Sequence, residues 1–455
     1  MHPPSTPHAL RFRGQSRRRA MALAYLNAGL WSVGNGLVST TLIIYLALEH
    51  KASGLAISLI LAAPEFAGLL RLAVPAFMAR VRRRKLICIV AYAASAVVLC
   101  AVPLVSWPEL LPSRSATITA LVASWCIYHL LEYSGTITLW SWLGDLVPGR
   151  IRGRFCGHRE RWLAAGGIAG IIFTIALTWL WGKVLPTSAS WQPLAASAAV
   201  GALFIVAAVV PLILMPAVEY MPSAVPRTPW RALLRATFQP PYSRLLAFSC
   251  FFAVVNGITG AAQNMYPQRV LKVSYAGMRT LSGMMRVGQS GIAPAMGRLT
   301  DAWGNRPVMI LAELVIATGP LFFLLATPER WWWLIGAYVV WIAYAGLNVG
   351  LDNVKLKLAP EDNNAPYLSA YYAISDLAYA TSTVMGGVYF DQLLAKGRDA
   401  KAIYAGLFVA GWLGRTLSTI FLFRLPEPGA LRLRDLPGRI ASWRRVAASS
   451  VAGRE

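Results

Sequence analysis

His129 and Glu132, three residues apart, lie in the otherwise largely apolar stretch 117–143. On a helix that spacing puts them on one face. There an imidazole and a carboxyl can work as acid and base, hold one another by a hydrogen bond, or relay a proton. Three more ionisable groups stand deep in apolar stretches: Glu65, Arg286 and Asp376. A charge at the centre of a bilayer costs roughly 2.5 to 3.5 kcal/mol even on the more forgiving insertion scale, so each such group must be paired, neutralised or set against water. A carboxyl poised between ionised and neutral forms can exchange a proton, which makes Glu65, Glu132 and Asp376 the candidate proton-coupling groups. Arg286 can neutralise Glu65 or Asp376, or hold an anionic group.

The elements that must position these groups are long and apolar. Of 455 residues, 56% are hydrophobic and only 14% charged, with mean hydropathy +0.52, values that belong to a chain dissolved in a bilayer. A span needs about twenty mostly apolar residues. Twelve such stretches are predicted, hereafter spans 1 to 12: 21–48, 54–79, 86–106, 117–143, 162–182, 192–215, 245–266, 276–297, 307–326, 331–351, 367–390 and 402–423. They are not the short alternating segments of a barrel, so the expected fold is an all-α membrane protein. The five cysteines are odd in number and scattered, and imply neither a disulfide framework nor a metal cluster.

The net charge of +24 would fit nucleic acid, but its distribution follows topology instead. With the N-terminus cytoplasmic, one side collects Arg11, Arg13 and Arg17 to Arg19, then Arg80 and Arg82 to Lys85, then Arg150, Arg152 and Arg154, then Arg227, Arg231, Arg235 and Arg244. This is the positive-inside asymmetry of a multi-pass protein of the cytoplasmic (inner) membrane with both termini inside. The implied organisation is a basic N-tail (1–20), a six-helix bundle (21–217), a proline-rich linker (218–244), a second bundle (245–424) and a basic C-tail (425–455). No Gly-rich phosphate loop is present and the connections are too short for a nucleotide-binding domain. No cofactor, metal or nucleic acid is expected; the partners are lipid, a small-molecule substrate and protons, and the chain is expected to be a monomer.

The two bundles echo one another. Gly297-Arg298-Leu299-Thr300-Asp301-Ala302-Trp303-Gly304-Asn305-Arg306 closes span 8, and Pro75-Ala76-Phe77-Met78-Ala79-Arg80-Val81-Arg82-Arg83-Arg84 closes span 2. Asn35-Gly36 is matched by Asn256-Gly257, and Tyr45 by Tyr266. Duplicated bundles can rock about a central site.

On these residues the chain resembles the major facilitator superfamily, whose signature after helices 2 and 8 reads Gly-x-x-x-Asp-Arg-x-Gly-Arg-Arg. The late copy keeps Gly297, Asp301, Gly304 and Arg306; the early copy has Pro75, Ala79 and Arg82 where the pattern has Gly, Asp and Gly. The resemblance implies two pseudo-symmetric six-helix bundles and a cytoplasmic gate at these loops, with Gly297, Asp301, Gly304, Arg306 and Arg80, and with Asp145 in Gly144-Asp145-Leu146-Val147-Pro148 supplying the acid missing from the early copy. It also implies that helices 1, 4, 7 and 10 line a central cavity. Polar stripes at helical spacing fall on those four spans: Asn27, Trp31 and Asn35; Trp125, His129, Glu132 and Thr136; Ser249, Asn256, Thr259 and Gln263; Trp341, Tyr344, Asn348 and Asp352. From these, Asn27, Trp31, Asn35, Trp125, His129, Asn256, Gln263, Arg286, Trp341, Tyr344 and Asn348 are the candidate substrate contacts. Arg415 and Glu313 fall on outer helices, where packing or gate support is the expected role.

The function this implies is secondary active transport of a small organic solute by alternating access, coupled to protons, with no enzymatic step. Gly166, Gly167 and Gly170 in span 5 lack the proline found in many exporters of the superfamily. Two other classes remain open on the residues alone: a lipid-modifying enzyme using His129 and Glu132, and a transporter-like sensor.

Overall fold

The computed structural model describes residues 14–70, 84–108, 110–147, 149–185, 189–217, 238–240, 242–358, 364–427 and 429–435, and among them there is no strand. An apolar medium offers no partner for backbone N–H and C=O groups, so each segment must satisfy its own, and helices do so. Eight helical segments are long and apolar enough to cross a membrane: Arg18–Glu49, Arg84–Val105, Arg161–Val184, Trp191–Leu214, Tyr242–Arg269, Asn305–Leu325, Trp333–Lys355 and Ala400–Phe423. Gly54–Gly68 is a shorter apolar helix. Arg114–Leu146, Tyr275–Trp303 and Asn364–Ala395 are long, and carry more polar residues. These four with the eight make twelve among the described residues, matching the twelve predicted spans in order.

Local chemistry sets the ends and bends. Ser39, Ser53, Ser113 and Asp399 each accept a hydrogen bond from a backbone N–H of the first turn they precede, which satisfies a donor the helix cannot. Span 10 is helical over Trp333–Val340 and Tyr344–Leu358, with a tight 3-10 turn over Trp341–Ala343 between. A turn of this kind inside a helix commonly marks a functional position. Here it presents Trp341, whose carbonyl accepts a hydrogen bond from the Gln289 amide at 3.0 Å.

The chain forms two compact units. The first comprises residues 1–227 with 264–280 and 383–392, and the second 228–263, 281–382 and 393–455. The single break expected at the 218–244 linker is therefore not how contacts group, because the ends of spans 7, 8 and 11 pack with the first unit. Asp391 caps the helix Gly54–Gly68, accepting from Gly54 N and Leu55 N at 2.7 Å each, and Arg279 donates to the Gly36 carbonyl at 2.7 Å.

Within the first unit, spans 1 and 5 meet through glycines. A Cβ on Gly170 would sit 2.5 Å from the Val33 carbonyl oxygen, and one on Gly166 2.5 Å from that of Gly29. With lipid as apolar as leucine, such close backbone approach is a main source of helix association. The absent proline noted in span 5 thus accompanies a packing face. The second unit has a core of Tyr242, Leu245, Phe248, Met309, Ile316, Leu347, Tyr371 and Leu422 from spans 7, 9, 10, 11 and 12.

Candidate functional site

In the first unit the stripe on span 4 forms a network. The Trp125 indole donates to the Ile60 carbonyl at 3.2 Å, and the Tyr128 hydroxyl donates to Asn35 Oδ1 at 3.1 Å, which joins spans 2, 4 and 1. Thr136 donates to Glu132 Oε1 at 2.7 Å and lies 2.7 Å from the Tyr92 hydroxyl. His129 is ringed by Trp125, Tyr128 and Tyr133, at centroid distances of 4.4, 5.0 and 6.1 Å. Both its ring nitrogens are buried, and neither has a hydrogen-bond partner.

His129 and Glu132 therefore share a face and, among the described residues, no hydrogen bond. Asn35 is joined through Tyr128 to the stretch of span 4 that carries Trp125 and His129. Asn27 turns the other way and donates to the Ala208 carbonyl of span 6 at 2.8 Å, while the buried Trp31 indole nitrogen has no partner. Glu65 is partly buried and Glu132 is 5% exposed.

The second unit gathers a different set. Arg415, 2% exposed, donates through Nη2 to Asn256 Oδ1 at 2.7 Å and to Gln263 Oε1 at 3.4 Å, and its guanidinium lies 5.7 Å from the centre of the Trp341 ring. Glu313 is fully buried; its Oε1 accepts from Ser418 at 2.9 Å. Tyr344 is partly buried between them, and Asn348 is exposed. Arg286 is exposed as well, and its side chain makes no ion pair or hydrogen bond among the described residues. Asp376 is half-buried.

Placing Arg415 and Glu313 in packing or gate support misses this cluster. The signal was available: each is the sole charged residue of its span.

The signature loop after span 8 is also held by a group the sequence reading passed over. Gly304 turns the chain at φ 91°, a left-handed conformation that glycine adopts freely. Asp301 is exposed and makes no described contact. The acid at the following helix N-terminus is Glu427, from beyond span 12. It accepts from the backbone amides of Asn305 at 3.0 Å and Arg306 at 2.7 Å, from the Asn305 side chain at 2.6 Å and from Lys357 at 3.3 Å. Burial pushes the Glu427 carboxyl up, but these donors outweigh it and hold it below the usual carboxylate value. Leu431 N donates to the Trp303 carbonyl at 2.8 Å, fastening the same segment to the loop. Gly297 is open to substitution, and Arg306 reaches the Leu425 carbonyl at 3.4 Å. Arg80 and the side chain of Asp145 lie outside the described residues.

No curated protein matches this chain in sequence. Solved structures match its fold closely in extent. A mutant of the nucleoside transporter NupG superposes with TM-score 0.65 at 14% identity, covering 90% of this chain and 100% of the other. A bacterial homologue of the iron transporter ferroportin in an inward-facing state gives 0.65 at 12%, covering 90% and 98%. A D-xylose-proton symporter gives 0.61 at 14%, covering 91% and 99%. The family model of the Major Facilitator Superfamily matches residues 22–383, the greater part of the sequence. Joined to twelve helices in the predicted order, that match shows that this chain belongs to the major facilitator superfamily.

Proposed function

We propose that this protein is a secondary transporter of a small organic solute, working by alternating access and coupled to protons, in the inner membrane with both termini cytoplasmic and as a monomer. The observation that carries the solute site is His129: an imidazole deep in span 4, boxed by three aromatic rings, with two nitrogens that no group among the described residues satisfies. Buried polar atoms are normally paired. An unpaired imidazole within reach of stacking rings suits a solute with a flat or ringed face and a hydrogen-bonding edge. Asn35, Trp31 and Trp125 are assigned to that site in the first unit; in the second unit Asn256, Gln263, Trp341, Tyr344 and Asn348 are assigned as solute contacts in their own right, with Arg286 available to an anionic group.

The superposed structures include a nucleoside transporter and a D-xylose-proton symporter, which supports a small organic solute without choosing within that class. Proton coupling is assigned to Glu65, Glu132 and Asp376, and cytoplasmic closure to the loop containing Gly297, Asp301, Gly304 and Arg306, with Asp145 and Arg80 on the other copy. The test uses purified protein in vesicles. A thermal-shift screen over sugars, nucleosides, peptides and organic acids selects a ligand, because binding to the folded state raises the melting temperature. Counterflow of that solute without chemical change is the expected result; turnover of added lipid overturns the proposal. Replacing Glu65, Glu132 or Asp376 singly by its amide should abolish uphill uptake in at least one case while counterflow persists, and unchanged accumulation in all three removes them as proton carriers.

A further inference from the structure

The second unit holds a charge that its surroundings do not match. A guanidinium has five N–H donors and stays protonated in proteins. Arg415 engages Asn256 and Gln263 through Nη2, while its buried Nε and Nη1 meet no hydrogen-bond partner among the described residues. Glu313, packed on the neighbouring helix, has the complementary shortage: Oε1 accepts from Ser418, and Oε2 is buried with no partner. Ser418 links the two, since its hydroxyl also lies 2.6 Å from the Arg415 carbonyl. At roughly 1.5 Å per residue, Glu313 lies about 12 Å along its helix from Asn305 and Arg415 about 12 Å from Phe423, so both sit at a similar depth inside the apolar layer. The helices packed against Asn305–Ala317 are Gly319–Leu325, Tyr344–Leu358 and Ala400–Phe423, with the turn Trp341–Ala343. From these, the titratable or charged groups facing Glu313 are Arg415 and the Tyr344 hydroxyl.

We infer that Glu313 is a proton-binding site whose charge state moves Arg415 between two sets of partners. In the arrangement seen, Arg415 is held by Asn256 and Gln263 and makes no ion pair with Glu313, which fits the neutral acid. A buried carboxylate needs several donors or a paired cation, and Glu313 has one hydroxyl. Loss of the proton from Glu313 to water leaves a carboxylate beside the unused Nε and Nη1 donors. The guanidinium then swings to form a charge-assisted, forked pair with it. That movement takes Arg415 off Asn256 and Gln263, two side chains on a span assigned above to the solute cavity, and frees their carbonyl oxygens. Proton binding is thereby linked to the polarity of the solute-facing surface within one bundle. This assignment rests on the transporter reading for its purpose, though the proton site itself stands on the geometry of the cluster.

The test is an infrared pH-difference titration of the purified protein in lipid nanodiscs, with the proton as the probe. Wild type should show a carboxylic acid C=O band that disappears as pH is raised. Glu313→Gln should lose that band while the other carboxyl bands remain. Arg415→Gln, which leaves Glu313 intact but removes the cation, should shift the band's midpoint to higher pH. A Glu313→Gln spectrum superimposable on wild type overturns the proposal. If that variant does not fold, an unshifted midpoint in Arg415→Gln overturns it equally. Once a solute is known, Glu313→Gln should keep counterflow and lose uphill accumulation. Absence of counterflow for every solute in wild type would strike the transporter reading instead, leaving the infrared result to decide the proton site.

Discussion

The two units answer the same problem, polar groups inside a bilayer, in opposite ways. In the first, Trp125, Tyr128 and Asn35 are tied to one another's elements by hydrogen bonds, and the unmatched side chain beside them is an imidazole among aromatic rings. In the second, the unmatched group is a permanent cation, Arg415, with a lone carboxyl beside it. A duplicated chain has thus kept its helical frame while its two halves diverged in electrostatics. An imidazole can donate or accept for an incoming solute without bringing a fixed charge. A buried guanidinium cannot shed its charge, so its neighbours must change instead. The difference makes His129 the group to test for solute recognition and the Arg415–Glu313 cluster the group to test for a change of charge.

The most damaging way to break the comparison is through the frame. Gly170→Val puts side-chain atoms where even a Cβ would meet the Val33 carbonyl at 2.5 Å, so spans 1 and 5 must separate. The expected loss is about 3 kcal/mol or more, at the upper end for overpacking. It is read as a lower melting temperature in detergent. The matched control in the second unit, Gly291→Ala, meets nothing within 4 Å and should stay within about 0.5 kcal/mol of wild type. Equal losses in both would show that the backbone contact at Gly170 is not what carries the loss.

Next in size is Glu427. Glu427→Gln keeps the shape but weakens four hydrogen bonds at the start of the helix Asn305–Ala317, with an expected loss of about 1 to 2 kcal/mol, the usual range for a helix cap. The pH dependence follows from the depressed pKa. A carboxyl whose folded value lies below its unfolded one, about 4.3 for glutamate, stabilises fully above that unfolded value and loses the contribution as pH falls through the folded value. The gap in melting temperature between wild type and Glu427→Gln should therefore be widest near neutrality and close in acid. A gap that widened on acidification would reverse the assignment.

The third prediction sharpens the recognition half. His129→Phe keeps a ring against Trp125, Tyr128 and Tyr133 while removing both nitrogens, so stability should change by less than about 1 kcal/mol. Half-saturation for the transported solute should rise about tenfold, the equivalent of roughly one hydrogen bond. Unchanged half-saturation would move the solute site away from this ring.

Much of the frame was legible in the residues because the signals are local. The twelve spans follow from runs of apolar residues, and the faces of span 4 from the spacing of Trp125, His129 and Glu132. What could not be read is set by how helices turn about their axes and where a returning chain lands. Glu427 reaches the loop after span 8 only because the chain folds back after span 12. Arg415 sits on a helix the family pattern places outermost, yet its long side chain extends inward to Asn256. Spacing along one helix cannot reveal either.

Asn27 is the smallest test and the most discriminating one for the stripe on span 1. Periodicity puts it with Trp31 and Asn35, but its amide donates to the Ala208 carbonyl and it is 3% exposed. Interhelical hydrogen bonds in membrane proteins are worth about 0.6 kcal/mol on average. Asn27→Ala should therefore lower the melting temperature slightly and leave solute half-saturation unchanged, whereas Asn35→Ala, which removes the Tyr128 partner beside His129, should alter both. If Asn27→Ala raised half-saturation as much as Asn35→Ala, Asn27 would have to leave Ala208 during the transport cycle. The stripe would then act as one surface, and the division between its packing end and its solute end would be lost.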